Sequence, residues 1–205
     1  MLLLALSAAG LLVGPQPDLK KISPDTYPTA MLRANKSVSA QIEATINPEG
    51  EIESCTLISF VGDEQFAKQV CSLLDKRTWA KSLDPQGRAI YGRIRTAMRF
   101  TIPGTKEGID AQRAKLRPDL ELPFPANWQG TDELIVPVAV LIGQDGRVEA
   151  CDFQPIPYIN KHAREWADVA CEGVSQGNYP PIVTQMGSIQ RYVAAQRVRF
   201  SRAKP

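Results

Sequence analysis

Val38-Ser-Ala-Gln-Ile-Glu-Ala-Thr-Ile-Asn-Pro-Glu-Gly-Glu-Ile-Glu-Ser-Cys55 decides the reading of this chain, because its pattern occurs twice. It lies without a gap over Leu134-Ile-Val-Pro-Val-Ala-Val-Leu-Ile-Gly-Gln-Asp-Gly-Arg-Val-Glu-Ala-Cys151, at an offset of 96 residues. In both stretches a cysteine follows the turn glycine, Gly50 or Gly146, by five positions. An insertion of four residues then raises the offset to 100, which superposes Cys71 on Cys171, Gly87 on Gly187 and Arg99-Phe100 on Arg199-Phe200. Self-similarity at a fixed period marks a repeated structural unit. The chain therefore reads as two copies of one fold.

Within copy one, Val38, Ala40, Ile42, Ala44 and Ile46 alternate with polar residues, the period of a strand with one buried face. Asn47-Pro-Glu-Gly50 turns the chain, and Ile52 to Ser59 returns as the second strand of a hairpin. Asp63 is placed as an N-cap, and Phe66, Val70, Leu73, Leu74 and Arg77 mark an amphipathic helix. With one cysteine on the second strand and one on the helix of each copy, the repeat predicts Cys55–Cys71 and Cys151–Cys171 bridges. Each closes a short loop, a constraint worth about 3 kcal/mol.

The third strand runs through Ile90, Ile94, Met98 and Phe100, with Tyr91, Arg93, Arg95, Ala97 and Arg99 on the opposite face. Copy two repeats it with Tyr192, Ala194, Val198 and Phe200 against Arg197 and Arg199. A helix takes up one traverse, so the third strand runs parallel to the second and pairs antiparallel with the first. The expected order in each copy is 2-1-3, with the third strand on an edge.

The first thirteen residues, Met1 to Val13, form an uncharged apolar run shorter than the roughly 20 residues of a spanning helix. Small residues at Ser7 and Ala9 suit a signal peptidase, so residues 1–14 read as a signal-peptide-like segment cleaved before Gly10. No membrane span is then expected after processing; the alternative is an inner-membrane tether through an uncleaved segment. Four cysteines fit an oxidising compartment, where thiols pair. Lys plus Arg number 24 against 22 for Asp plus Glu, too balanced for a domain held to nucleic acid by charge. His162 is the single histidine, which excludes a His-rich metal site; no metal and no cofactor is expected. An enzyme is the distant alternative: on a helix Glu165 faces His162 from i+3, whereas Asp168 at i+6 does not.

Tyr27-Pro28, the first strand, Gly50-x-Ile52 leading to Cys55, the Ala67 and Cys71 helix, Gly87 and the closing Arg99-Phe100 together resemble the TonB C-terminal domain family. Gly146, Gly187 and Phe200 mark a more divergent second copy. The resemblance implies an α+β fold of two tandem TonB C-terminal-like domains. Each would be a small antiparallel sheet of order 2-1-3 with a crossover helix packed on one face. The domains would span 20–103 and 121–205, and the polar, proline-punctuated 104–120 would be a linker or a short connecting helix. Pro137 falls in the first strand of copy two, central in a 2-1-3 order, where a missing N–H is poorly tolerated. That strand is therefore expected to begin at Val138.

The resemblance further implies a non-catalytic periplasmic protein that binds extended segments of envelope partners and supports TonB-dependent transmembrane transport. A TonB-dependent outer-membrane receptor would be one such partner. Docking would be β-augmentation on the third strand, in which backbone hydrogen bonds supply affinity. The docking edge would carry Arg93, Arg95, Ala97 and Arg99, with Arg197 and Arg199 in copy two, and its arginines would select acidic residues. The same row also reads as a solvated face that discourages edge-to-edge aggregation. A structural alternative has the edge strands of the two copies pairing with each other, with no peptide docking. A homodimer through edge strands uses the same chemistry between chains. Residues 15–26 extend to about 40 Å, a short tether for a full energy transducer.

Overall fold

The alternating stretch that opens each repeat becomes a central strand of one sheet in the computed structural model, which describes residues 12–16, 27–74, 79–115, 117–125, 128, 130–156, 160–184 and 186–202. The expected cleavage point before Gly10 lies outside the described residues. The strands are β1 (Val38–Ile46), β2 (Ile52–Gly62), β3 (Ser82–Leu83), β4 (Ala89–Phe100), β5 (Leu120–Pro123), β6 (Glu133–Ile142), β7 (Val148–Phe153), β8 (Ile182–Val183), β9 (Ile189–Gln190) and β10 (Tyr192–Ser201). Among the described residues the α-helices are α1 (Thr29–Arg33), α2 (Glu64–Gln69), α3 (Lys106–Arg113) and α4 (Ala167–Ser175). The fold is α+β, with a large mixed sheet.

The sheet runs in the order β2-β1-β4-β10-β6-β7, with β3 added on β4 and β5 on β10. Read inward from either end, the path meets the return strand of a hairpin, then its first strand, then the third strand of that repeat. The third strands, β4 and β10, meet at the centre as a parallel pair, from Tyr91↔Tyr192 to Ile94↔Ala195. Both hairpins carry a bulge at the same place, between Thr45 and Ile46 and between Leu141 and Ile142. The turn glycines Gly50, Gly87, Gly146 and Gly187 all adopt positive φ, between 75° and 89°, as such tight turns require.

Register shows that the two halves face opposite ways. In the first half Val38, Ala40, Ile42 and Phe100 pack on Phe66, Ala67 and Val70 of α2 and the turn that follows it. In the second half Val136, Val138, Val140, Tyr192, Ala194 and Phe200 pack on Ala170 and Val174 of α4. Tyr192 and Ala194 share a face with Tyr91 and Arg93, which is the face opposite Ile94, Met98 and Phe100. Helices α2 and α4 thus cover opposite faces of one continuous sheet.

Three sequence expectations change at this level. The first helix ends at Gln69 and tightens into a 3₁₀ turn over Val70–Leu73, with Leu74 extended; Arg77 lies outside the described residues. The first strand of the second repeat begins at Glu133 rather than Val138 and runs through Pro137. Pro137 is tolerated because its carbonyl accepts from Gln154 N at 3.0 Å, which turns its missing N–H toward the β7 side just past Phe153, where the ladder has ended. Leu12, Val13 and Gly14, counted with the signal-like segment, belong to the packed body. Leu12 is buried against Ala139, Leu141 and Val193, Val13 exchanges backbone hydrogen bonds with Leu83, and Gly14 O accepts from Gln154 Nε2. They cover the apolar back of the second half of the sheet. No helix among the described residues is long and apolar enough to cross a membrane.

Both bridges form as the repeat predicts. Cys55 on β2 joins Cys71 on the 3₁₀ turn, and Cys151 on β7 joins Cys171 on α4, with Cα atoms 5.7 and 5.6 Å apart. Two buried or half-buried aspartates fasten local structure and contribute to the acid response. Asp63 caps α2 by accepting from Phe66 N at 2.8 Å and pairs with Lys36 at 3.0 Å, which together hold its pKa below the ordinary carboxylate value. At Asp84 burial pushes the pKa up, but Arg88 and the N–H groups of Arg88 and Gln86 outweigh it and the net direction is down. Groups with a depressed folded pKa stabilise above their unfolded value, about 3.9 for Asp, and lose that contribution as pH falls through the folded pKa. Melting temperature is expected to be flat from neutral pH to about pH 4 on this account and to fall below it. In Asp84→Asn, melts between pH 7 and pH 2.5 should show a shallower acid decline; an unaltered one would assign the slope elsewhere.

Candidate functional site

The arginine rows of β4 and β10 converge where the halves of the sheet meet. Arg93 lies over the Tyr192 ring at 4.7 Å and donates to Tyr192 Oη at 3.2 Å and to the carbonyls of Pro180 and Pro181 at 2.8 and 3.4 Å. Arg95 donates to Glu43 at 2.7 Å and stands 3.9 Å from Asp119 Oδ1. Arg197 donates a guanidinium N–H to the Arg95 carbonyl and its backbone N–H to Asp119 Oδ2, both at 2.8 Å. The Asp119 side chain is 3% exposed, and that burial pushes its pKa up against the lowering pull of Arg197 and Arg95. Burial also lowers the Arg197 pKa; Asp119 favours its charge, while Arg99 and Arg95 oppose it.

The edge expected at the third strand of copy one is therefore taken at Arg93 and Ile94, but not at Arg95, Ala97 or Arg99. Over Gly92, Arg93 and Ile94, β4 lies between β1 and β10. The physical reason is that each third strand carries an open ladder, and Ala194 and Ala195 opposite Arg93 and Ile94 are small enough for the strands to join. The join also merges cores, since Tyr91 packs on the α4 side and Ala195 packs beside Ala44, Trp79 and Ile94. Because the second half is flipped, its 180–181 segment covers Arg93, which the sequence placed on a solvated face.

Past Ile94 the strands diverge. From Val198 onward β10 pairs instead with β5, and Asp119 N donates to the Arg197 carbonyl at 3.0 Å. Ala97 faces Gln41 across the β1 ladder and Arg99 donates to the Ala114 carbonyl at 3.0 Å, both beyond the reach of the β4–β10 pairing. In the resulting fork Arg99, Lys115, Arg117, Arg197 and Arg199 line a cavity of about 330 Å³ with Glu133. Arg199 pairs with Glu121 and stands 3.8 Å from Glu133. Lys115 and Arg117 come from the stretch read as a linker, which contains the capped helix α3 and packs on β1, β2 and β4. Their place in the cavity had no sequence signal beyond local basicity.

The strands left at the ends of the sheet are β2 and β7. Along its eleven residues β2 has no Lys, Arg or Pro, its single charge is Glu53, and Ile58, Phe60 and Val61 are 40%, 40% and 41% exposed. A second bulge, opposite Gln41 and Ile42, bends it at Ile58. The shorter β7 carries Glu149 and Asp152.

The remaining motif residues hold structure. Tyr27 donates to the Lys36 carbonyl and packs on Phe66 and Phe100, with ring centroids 5.6 and 5.7 Å away, and Pro28 precedes α1. Phe200 is fully buried beside Trp166, in an aromatic group with Phe124 and Trp128 that sequence spacing did not connect. His162 is exposed, with Nδ1 3.2 Å from both Glu165 carboxylate oxygens, the i+3 pair anticipated on the helix. No family model, no curated protein and no solved structure matches the chain.

Proposed function

We propose that the protein is a non-catalytic periplasmic binding protein made of two tandem TonB C-terminal-like domains, 20–103 and 121–205 joined through 104–120, that docks an extended segment of an envelope partner on the outer edge of β2. The observation that carries this reading is the long unpaired β2 edge, which lacks the Lys and Pro residues that natural edges use to repel a further strand. The two disulfides fit an oxidising compartment such as the periplasm. Docking is placed on β2 rather than on Arg93–Arg99 because β10 occupies β4 up to Ile94 and the connector at Ala114, Lys115 and Arg117 lies against the rest. That engagement favours a second reading, a structural tandem domain with no peptide docking.

A photo-reactive residue at exposed Thr56 should cross-link an outer-membrane receptor peptide, whereas one at Ala97 should not. Ile58→Lys with Phe60→Lys places charges on the edge and should weaken peptide binding at least about tenfold while leaving the melting temperature within a few degrees, because both side chains are already partly exposed. Peptide binding undiminished in the lysine variant would remove β2 as the docking edge. Cross-links from Thr56 only to a second copy of the chain would identify a homodimer instead.

A further inference from the structure

The fork between β4 and β10 concentrates positive charge far beyond the chain's overall balance. Five cations, Arg99, Lys115, Arg117, Arg197 and Arg199, surround its cavity, and among the described residues the only acid in the lining is Glu133. Glu121 and Asp119 stand behind Arg199 and Arg197, so three carboxylates face five cations. Glu133 itself is 3.8 Å from both Lys115 and Arg199, too far for a short charge-assisted hydrogen bond. Among the described residues neither Arg99 nor Arg117 has a carboxylate at salt-bridge distance.

Two of the cations are also held in place before any ligand arrives. Arg99 is fixed by its bond to the Ala114 carbonyl and Arg197 by its bond to the Arg95 carbonyl, which leaves their other N–H groups free to donate. Both sit on strands of the sheet, so little side-chain order has to be created on binding. Planar guanidinium groups converging from two strands and a connector match the tetrahedral, multiply charged oxygens of a phosphoryl group better than a lone carboxylate. A volume of about 330 Å³ admits a compact anion and excludes a folded partner. The burial of Arg197 and the nearby Arg99 and Arg95 cations disfavour its charge, a cost that an anion in the fork would offset.

We propose that this cavity binds a phosphoryl-class oxyanion, whether a soluble phosphate compound or the headgroup of a phospholipid. The site is independent of strand docking on β2. Titration of the full chain, disulfides intact and ionic strength held constant, with pyrophosphate should show one saturable site. Arg117→Gln, whose side chain is exposed, should weaken it at least about tenfold, as should Arg99→Gln. Arg147→Gln, in the turn between β6 and β7, should leave it unchanged. Should Arg99→Gln fail to fold, Arg117→Gln decides alone. Sedimentation with phosphatidylcholine vesicles containing phosphatidic acid, reversed by pyrophosphate, assigns the headgroup source. Pyrophosphate binding without sedimentation assigns a soluble ligand. Wild-type affinity in Arg117→Gln, the same response to potassium chloride, or a polyglutamate peptide bound more tightly than pyrophosphate would overturn the proposal.

Discussion

Replacing Cys55 and Cys71 together by serine should lower stability by about 3 kcal/mol, and the same exchange at Cys151 and Cys171 should cost about as much, because the bridges close sequence separations of 16 and 20 residues. For a chain of this size that corresponds to a fall in melting temperature of roughly 6–12 °C per bridge. The local consequence differs between the halves. Helix α2 has six residues, too few to persist alone, and the turn that carries Cys71 is tied to β2 by the bridge. Helix α4 has nine, and buries Ala167, Ala170 and Val174 against the sheet. Amide exchange should therefore accelerate over 64–73 in the first variant more than over 167–175 in the second. Calorimetry is expected to show one transition in both variants, because β4 and β10 make the halves one sheet. A loss below about 2 °C in both would mean that packing already holds the helices without the staples.

Tyr192→Ala should be the most damaging single substitution at the junction. The side chain is fully buried, and Oη donates to the Pro180 carbonyl at 2.9 Å and receives Arg93. Removing a buried aromatic side chain costs about 3–5 kcal/mol, and here it also strips the ring from beneath the Arg93 guanidinium. Tyr192→Phe keeps the ring and should cost about 1–2 kcal/mol, the range for a buried hydrogen bond. Burial raises the Tyr192 pKa to about 12 even though Arg93 pulls it down. An acid whose folded pKa is raised costs stability as pH climbs from its unfolded value, about 10, toward the folded one. Wild type should thus lose stability above about pH 10, and Tyr192→Phe should lose less over that window. Denaturant titrations of the three proteins at pH 7 and pH 11 test both statements. Equal stability of Tyr192→Ala and wild type would show that the junction does not depend on this residue.

The sequence by itself determined the elements and the staples. Val38 to Ile46 alternate strictly, so the first strand and its apolar face were legible, although its polar face is buried as well, at Ser39, Gln41 and Thr45; the second occurrence of the pattern made both cysteine pairings readable. These are local signals: a period of two, a turn glycine and a cysteine at a fixed distance from it. Helix length and strand limits were less legible, since Leu73 and Leu74 continue an apolar spacing although the α-helix ends at Gln69 and tightens into a 3₁₀ turn, and Pro137 reads as a breaker unless the end of β7 is known. What surrounds the third strands was legible only as one alternative, the pairing of the two copies' edge strands, and not in its direction or its contacts. The arginines at 93, 95, 197 and 199 alternate as a solvated row would, and nothing in that spacing says that a flipped second half covers the first. Only the tertiary structure decided that Arg93 stacks on Tyr192, that Asp119 is buried between Arg95 and Arg197, and that Lys115 and Arg117 join Arg99 around one cavity. Strand pairing between residues about 100 positions apart depends on which of several open edges meet, and that choice is made by the fit of Ala194, Ala195 and Tyr91 across the join, a property of three-dimensional packing that no local period encodes.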